Sequence, residues 1–402
     1  NSLNAAKTKP GPLKKVPISA IDKQDGKVVI TLEQPYTILP AVLGHYTTMI
    51  LSPKVYDQEG KVTQVIGTGP FNIKEFTPPQ RMSIIKKDSY WGEKAKVDKV
   101  EYIAASRSVT RALMAESKPS VIAYSLDAAS VQRLQHNQKL DVMSIMLPRV
   151  ITIKVNNAHP FMQDINVRQA MSQAIDRNGI AASLMRAPDI KTTQLLPPSL
   201  PQWHNKAVKS FKYDVNNAKV LLEKAGFSFN SDGYAEKEGK VFEITMRTYA
   251  DRPELPLIAS AIQDQFKKIG IKMEISIGSY TEVPGGHQDG TLDVALMIRN
   301  YATVTSPLIH IPSDFGRGGA DWGAMNWQNE AVAKALDALK LDNTDAASDA
   351  NRALVTKAIQ QELPVIPVIW YKQSVVVSKN LKGVSLDPFD TTYRLNEIEF
   401  AH

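Results

Sequence analysis

The chain has 402 residues, of which 43% are hydrophobic and 22% charged, and this length exceeds one compact core, so two or more lobes are expected. Cysteine is absent, which excludes disulfides, thiolate metal sites and a cysteine nucleophile. The net charge at pH 7 is +7, but the basic residues are scattered without interleaved aromatic residues, so no nucleic-acid partner is expected.

The first part of the chain shows short strands and helices. Residues 1–16 are polar and carry Pro12, so a loosely anchored start is expected. Asp25-Gly26 between two apolar runs predicts a hairpin. The strands predicted here are residues 18–22, 28–32, 71–76 and 97–103, and the helices lie within residues 36–49, 107–116 and 130–135.

The stretch from residue 150 to residue 187 is the most informative one. Its first residues are rich in β-branched side chains and end at Asn156-Asn157, which predicts a strand and a turn. Asn166 is the expected N-cap of the next helix, with Gln169 completing a capping box. Gly179 is expected to end or kink this helix. Its apolar face is predicted from helical spacing: Val167, Ala170, Met171, Ala174 and Ile175.

The second half alternates strands with helices. Residues 242–248, 257–269 and 271–277 predict a strand, a helix and a strand, and such a crossover implies parallel pairing. The remaining predicted helices are residues 213–227, 329–340 and 345–363, and the remaining strands are 292–298 and 364–378. Residues 306–326 are predicted to be a long glycine-rich loop, a kind of segment that often binds ligands.

Local catalytic motifs are absent from the sequence. No two histidines are spaced three or four apart, and there is no Gly-x-Ser-x-Gly or His-Glu-x-x-His. No window is long and apolar enough to be a membrane span. A hydrolase whose cleft is assembled from dispersed residues and a peptide-binding interaction module both remain open at this point.

Several dispersed segments resemble one known family. They are GTGPFNIKEF (67–76), DSYWGEK (88–94), VDKVEYI (97–103), NVRQAMSQAIDRNGI (166–180) and YDVNNAKVLLEKAGF (213–227). In this order they are similar to family 5 extracytoplasmic solute-binding proteins, the peptide- and nickel-type receptors of ABC importers. The resemblance extends from about residue 18 to the end of the chain.

The resemblance implies an α/β fold of the two-lobe periplasmic-binding-protein (Venus flytrap) type with mixed sheets, the first lobe lacking its N-terminal part. The expected division is residues 1–150 for the remainder of lobe I, 151–157 for a hinge strand, 158–363 for lobe II, 364–378 for the return hinge strand and 379–402 for a segment packing on lobe I. Two lobes of this type close over a ligand.

The implied function is that of a substrate-binding component without catalysis. It would deliver a small polar solute, either a nickel-type metal chelate (metallophore) or a short peptide, to a membrane permease. No cofactor is expected, and a metal would enter only as part of a bound chelate. We expect a monomer in the periplasm, or an extracytoplasmic, membrane-associated protein in a Gram-positive host.

The expected binding loop departs from that of the peptide receptors. Between Arg299 and Pro307 it lacks the acid that pairs with a peptide's amino group, and a buried ammonium without a carboxylate is costly. Arg299 is either ion-paired or a contact for an anion. Tyr301 matches the aromatic residue of the nickel-type receptors, but the arginine expected near Tyr46 is absent. The predicted ligand contacts are Arg299, Asn300, Tyr301, Thr305, His310, Arg317, Trp322, His45 and Tyr46. No residue is assigned to a metal.

Overall fold

The computed structural model describes residues 2–9, 11–342, 344 and 346–401. The chain forms two compact units. Unit 1 contains the residues up to Ile145, the short segment Thr303–Ser306 and the residues from Ser374 onward; unit 2 contains Met146–Ala302 and Pro307–Gln373. The assignment of residues 151–157 and 364–378 as hinge strands stays a prediction.

Unit 1 is built from short helices and small sheets. Its helices are α1 (Ser2–Thr8), α2 (Leu39–Leu43), α3 (Ser108–Ser117) and α4 (Ala128–Leu134). Its strands are β1 (Ile18–Gln24), β2 (Lys27–Leu32), β3 (Phe71–Thr77), β4 (Arg81–Lys86), β5 (Lys99–Ile103) and β6 (Ile122–Ala123). β1 and β2 form a hairpin, and β3, β4 and β5 form an antiparallel sheet in that order.

The predicted hairpin is confirmed, whereas the loose start is wrong. Asp25 and Gly26 have φ values of 48° and 77°, the left-handed pair that a tight hairpin turn requires. The chain begins with helix α1, followed by a 3₁₀ turn at Pro12–Lys15 whose Leu13 is buried. Burial of this leucine anchors a segment whose polar composition indicated no anchor.

Unit 2 is a mixed sheet flanked by helices. Its helices are α5 (Ile165–Ala174), α6 (Arg177–Gly179), α7 (Val215–Lys224), α8 (Glu254–Lys267), α9 (Glu282–Gln288), α10 (Ile311–Phe315), α11 (Glu330–Leu341) and α12 (Ala346–Glu362). Asp345, the predicted first residue of the last helix, lies outside the described residues. No helix in the described ranges is both long and apolar enough to cross a membrane.

Within the described part of the chain, ten strands follow β6. They are β7 (Leu140–Val155), β8 (Ser228–Phe229), β9 (Ala235–Lys237), β10 (Lys240–Val241), β11 (Glu243–Tyr249), β12 (Lys272–Gly278), β13 (Val294–Asn300), β14 (Val365–Ser378), β15 (Leu381–Lys382) and β16 (Glu399–Phe400). The strands that pass from one unit to the other are β7 and β14. The sheet of unit 2 has the order β12-β11-β13-β7-β14. β11 and β12 are parallel, as the crossover predicted.

The pairing of β13 with β7 decides which side chains share a face of this sheet. β13 is antiparallel to β7, with Arg299 opposite Val150, Ala295 opposite Lys154 and Asn300 opposite Arg149. Because paired residues point to the same face and successive residues alternate, Arg299 and Lys154 share one face. Asn300 and Arg149 share the other.

The helix that follows β7 begins two residues earlier than predicted. Its N-cap is Asp164, whose Oδ1 accepts a hydrogen bond from the Asn166 amide at 2.8 Å, so the capping role of Asn166 is a correction. The helix ends at Ala174, before Gly179. The predicted apolar face is confirmed, since all five of its residues are fully buried.

This cap gives a direct stability test. Replacement of Asp164 by alanine is expected to lower the free energy of unfolding by about 1 kcal/mol, because a helix amide loses its acceptor. Asn166→Ala should cost less than half as much. Urea denaturation of both variants measures the difference, and an equal or larger loss in Asn166→Ala would contradict the assignment.

Candidate functional site

The predicted ligand arginine of unit 2 already has a protein partner. Arg299 Nε and Nη2 lie 2.6 and 2.7 Å from the two carboxylate oxygens of Asp314, which is 0% exposed. Burial disfavours the charge on Arg299, but Asp314 outweighs it and the pKa of the guanidinium is raised. This bidentate pair corresponds to the ion-paired alternative of the two that the sequence left open for Arg299.

Tyr301 belongs to the same buried cluster. It is 1% exposed, its ring stacks on Phe315 with centroids 6.4 Å apart, and Arg299 lies 5.8 Å from its ring centroid. Burial raises the pKa of the Tyr301 hydroxyl well above its usual value. Asp314 and Phe315 lie on α10, inside the segment that was predicted to be a loop without secondary structure. Helix α10 thus covers residues that the sequence placed at a ligand.

Two more predicted contacts hold structural positions. Arg317 binds Asp337 through Nη1 and Glu330 through Nη2, the latter at 2.6 Å, so it ties the end of α10 to α11. In unit 1, His45 is 5% exposed, and its Nδ1 lies 2.8 Å from Thr47 Oγ1 and accepts from the Thr47 amide at 3.3 Å. This makes His45 the N-cap of a 3₁₀ turn.

All nine predicted contacts stay predictions, and the remaining five have the following surroundings. Asn300 Oδ1 accepts from the Ala302 amide at 3.1 Å. Tyr46 is 56% exposed and lies against the His45 ring, at 4.1 Å between centroids. Thr305 is exposed, whereas His310 and Trp322 are half-buried. Within the described residues of unit 2, only Arg299 and Tyr301 of the predicted set form one cluster.

A second cluster lies on the opposite face of the same sheet. Arg149, across from Asn300, places its guanidinium carbon 5.9 Å from the ring centroid of Tyr371 on β14. The Tyr371 hydroxyl is bonded to Glu254, and both Arg252 and Arg149 are near enough to act on it. Burial is the main reason that the pKa of Tyr371 is raised. We call these four residues the arginine cluster: Arg149, Arg252, Glu254 and Tyr371.

The arginine cluster lies at a favourable place in the fold. Its two guanidinium groups are of the kind that can hydrogen-bond an anion. Arg252 follows the carboxyl end of β11, and Glu254 begins α8, whose amino end carries a partial positive charge. In open α/β sheets, ligands bind outside the carboxyl ends of the strands. The arrangement can bind a carboxylate or a similar anion.

Sequence reasoning missed these residues for identifiable reasons. Arg252 follows a strand of the predicted β-α-β unit. Because ligands of open α/β sheets bind outside the carboxyl ends of the strands, its position alone would have selected it. Arg149 and Tyr371 carry no local signal, because only strand register and tertiary packing bring them together. Among the described residues, no group of three His, Asp or Glu side chains is placed to hold a metal ion.

Comparison with known proteins supplies the family context. The family model described as "Bacterial extracellular solute-binding proteins, family 5 Middle" matches residues 2–313. The nickel-binding protein NikA of Staphylococcus aureus is 26% identical over 381 residues, which cover 93% of this chain and 73% of that protein. The dipeptide-binding protein of Escherichia coli is 26% identical over 292 residues, covering 70% of this chain and 52%, about half, of that protein.

The fold has a close counterpart among solved structures. The crystal structure of Staphylococcus aureus NikA in complex with Ni(L-His)2 superposes with a TM-score of 0.83 at 22% sequence identity. The match covers 100% of this chain and 83% of that chain. This likeness confirms the predicted fold class.

Proposed function

Because this chain belongs to family 5 of the bacterial extracellular solute-binding proteins, which are binding proteins and not enzymes, we propose that it carries a small polar solute to an ABC permease. We place it outside the cytoplasmic membrane, in the periplasm or on the outer surface of a Gram-positive cell. The hydrolase alternative has no support in the comparisons. The permease is its proposed partner.

The ligand that we propose bears at least one carboxylate, and the arginine cluster carries this proposal. Arg149 and Arg252 both act electrostatically on Tyr371, whose hydroxyl is bonded to Glu254. Planar guanidinium groups bind carboxylates through two parallel hydrogen bonds, which few other side chains can do. We therefore assign the anion-binding role to Arg149 and to Arg252, which follows the carboxyl end of β11, and not to Arg299, whose Nε and Nη2 are bonded to Asp314.

Between the two ligand classes, the charges favour a metal chelate of amino acids. A peptide presents a free ammonium group, which needs a carboxylate partner when it is buried. The nearest acid along the predicted binding loop, Asp314, is engaged by Arg299, and the carboxylate of the arginine cluster, Glu254, is bonded to the Tyr371 hydroxyl. In a chelate the amino nitrogens bind the metal and carry no charge, while carboxylates stay anionic. The similarity to a nickel-binding protein supports this choice, and that to a dipeptide-binding protein keeps a short peptide as the second candidate.

A thermal-shift and calorimetric comparison tests the proposal. The protein is titrated with Ni(L-His)2, with Ni²⁺ alone, with L-histidine alone, and with dipeptides that carry a free or an amidated carboxyl end. A ligand at a hundredfold excess over its Kd should add about 2.7 kcal/mol to the free energy of unfolding. We expect this for the chelate and not for Ni²⁺ alone. If no carboxylate-bearing compound stabilises the protein, the proposal is wrong.

A further inference from the structure

A lysine with no exposed surface lies at the end of β7 in unit 2. Lys154 is 0% exposed, and its Nζ lies 2.8 Å from His287 Nδ1 on α9. The same Nζ donates to the main-chain oxygens of Asp321, at 3.1 Å, and of Gly323. These two oxygens flank Trp322. The segment Asp321–Gly323 is therefore held to the sheet by one ammonium or amine group.

The segment has further attachments beside Lys154. The Gly323 amide donates to Ala320 O at 2.7 Å, and the Ala324 amide donates to Asp314 O at 2.8 Å. Gln288 on α9 donates to the Asp321 carboxylate at 2.5 Å. Release of Lys154 would remove the two bonds that tie the main-chain oxygens of Asp321 and Gly323 to β7, while β7 itself stays paired.

The charged groups around Lys154 come from each element packed against it. They are His287 on α9, Asp321 on the segment, Asp314 on α10 and Arg299 on β13. Burial opposes the charge on Lys154 most strongly. Asp314 and then Asp321 favour the charged lysine, and Arg299 opposes it.

The hydrogen bonds of Lys154 and His287 do not allow both side chains to be protonated and charged at the same time. His287 makes a second hydrogen bond to the main chain of Asp321. With Lys154 charged and His287 neutral, Nζ can donate to all three partners. If both groups are charged, Nζ and Nδ1 are both donors and two positive charges stand 2.8 Å apart. That state is incompatible with the closed segment.

We propose that Lys154 and His287 form a proton-linked latch, which holds the segment Asp321–Gly323 against the sheet and releases it when the pair gains protons. In the closed state burial lowers the pKa of Lys154 to about 7, and burial together with the Lys154 charge lowers that of His287. Opening returns water to both side chains and raises both pKa values. The open state then binds more protons, so acidification favours it.

The direction of the effect follows for each group. Because of Lys154, the fraction of molecules with the segment open increases as the pH falls from about 10.4, the pKa of a solvated lysine, to about 7. Because of His287, this fraction increases further as the pH falls below about 6.5. Where Trp322 contacts the ligand, as the sequence predicts, acidification would also weaken ligand binding. The latch itself is tested without ligand, so it can fail independently of the proposed function.

Hydrogen exchange measures the latch directly. Protection factors of the Gly323 and Ala324 amides, corrected for intrinsic exchange, are followed from pH 5 to pH 9 on the whole protein. We expect them to fall at least tenfold between pH 9 and pH 7, while those of the buried residues Ala170 and Met171 in α5 stay constant. Lys154→Met, which keeps length but cannot titrate, should remove this dependence.

Two further variants complete the test. His287→Gln should lose the change below pH 6.5 and retain that above pH 7. Lys272→Met removes an exposed lysine, paired with Glu243 at 2.9 Å, and should keep the full wild-type profile. A flat profile in the wild-type protein overturns the latch even if no variant folds. So does a wild-type profile in Lys154→Met.

Discussion

Replacement of Arg252 by glutamine is expected to weaken binding of a carboxylate-bearing ligand by roughly 10- to 100-fold. A hydrogen bond to a charged group contributes about 1.5–3 kcal/mol, and each 1.4 kcal/mol corresponds to tenfold in Kd. Glutamine keeps polarity and most of the side-chain length, so the loss reports the charge. Isothermal titration at fixed ionic strength, with the chelate or peptide that binds the wild-type protein, provides the measurement.

The second prediction is that substitutions of the two arginines of the arginine cluster have non-additive effects on affinity. Arg149→Gln should weaken binding similarly, and the double variant should lose less than the sum, because both side chains would hold one anion. Arg81→Gln is the matched control: this arginine is ion-paired to Glu101 at the surface. Unchanged affinity in Arg252→Gln, or an equal loss in Arg81→Gln, would refute the assignment of the site.

The largest expected effect on stability comes from Asp314. Asp314→Asn should lower the free energy of unfolding by about 3–5 kcal/mol, because it leaves the Arg299 guanidinium buried without its counter-charge. Tyr301 would lose its carboxylate partner at the same time. Urea denaturation at pH 7 measures the loss.

Two controls separate the effect of burial on stability from the effect of losing any ion pair. Asp337→Asn removes the carboxylate partner of an exposed arginine, Arg317, and should cost less than about 1 kcal/mol. The double variant Arg299→Met, Asp314→Leu removes both charges and should recover much of the stability lost in Asp314→Asn. Equal losses from Asp314→Asn and Asp337→Asn would show that burial does not make the Arg299–Asp314 pair more important for stability than an exposed pair.

The repeating patterns of the sequence were enough to predict the framework. The alternation of strands and helices between residues 242 and 277 gave the parallel pair β11 and β12, since a helical crossover leaves few other connections. The face of α5 from Val167 to Ala174 is buried as its spacing predicted. Such patterns succeed because they record which side chains avoid water, and burial of apolar surface is the largest favourable contribution to folding.

Boundaries and caps were predicted less well. Asn166 and Asp164 are both good capping residues, and the choice depends on where the chain leaves the preceding turn. The glycine-rich segment after residue 306 contains α10, whose five residues are too few for a periodic pattern. Short elements of this kind are stabilised by tertiary contacts.

The sequence by itself determined the family, the α/β class and the order of the elements, because these depend on local pattern and on motifs that can be read along the chain. The tertiary structure decided which charged groups lie next to one another. It pairs Arg299 with Asp314, buries Tyr301 behind α10, and brings Arg149, Arg252 and Tyr371 together from three separate elements. The physical reason is that the neighbours of a charged side chain decide whether it can bind a ligand. Strand register selects those neighbours, because a shift by one residue exchanges the two faces of a sheet.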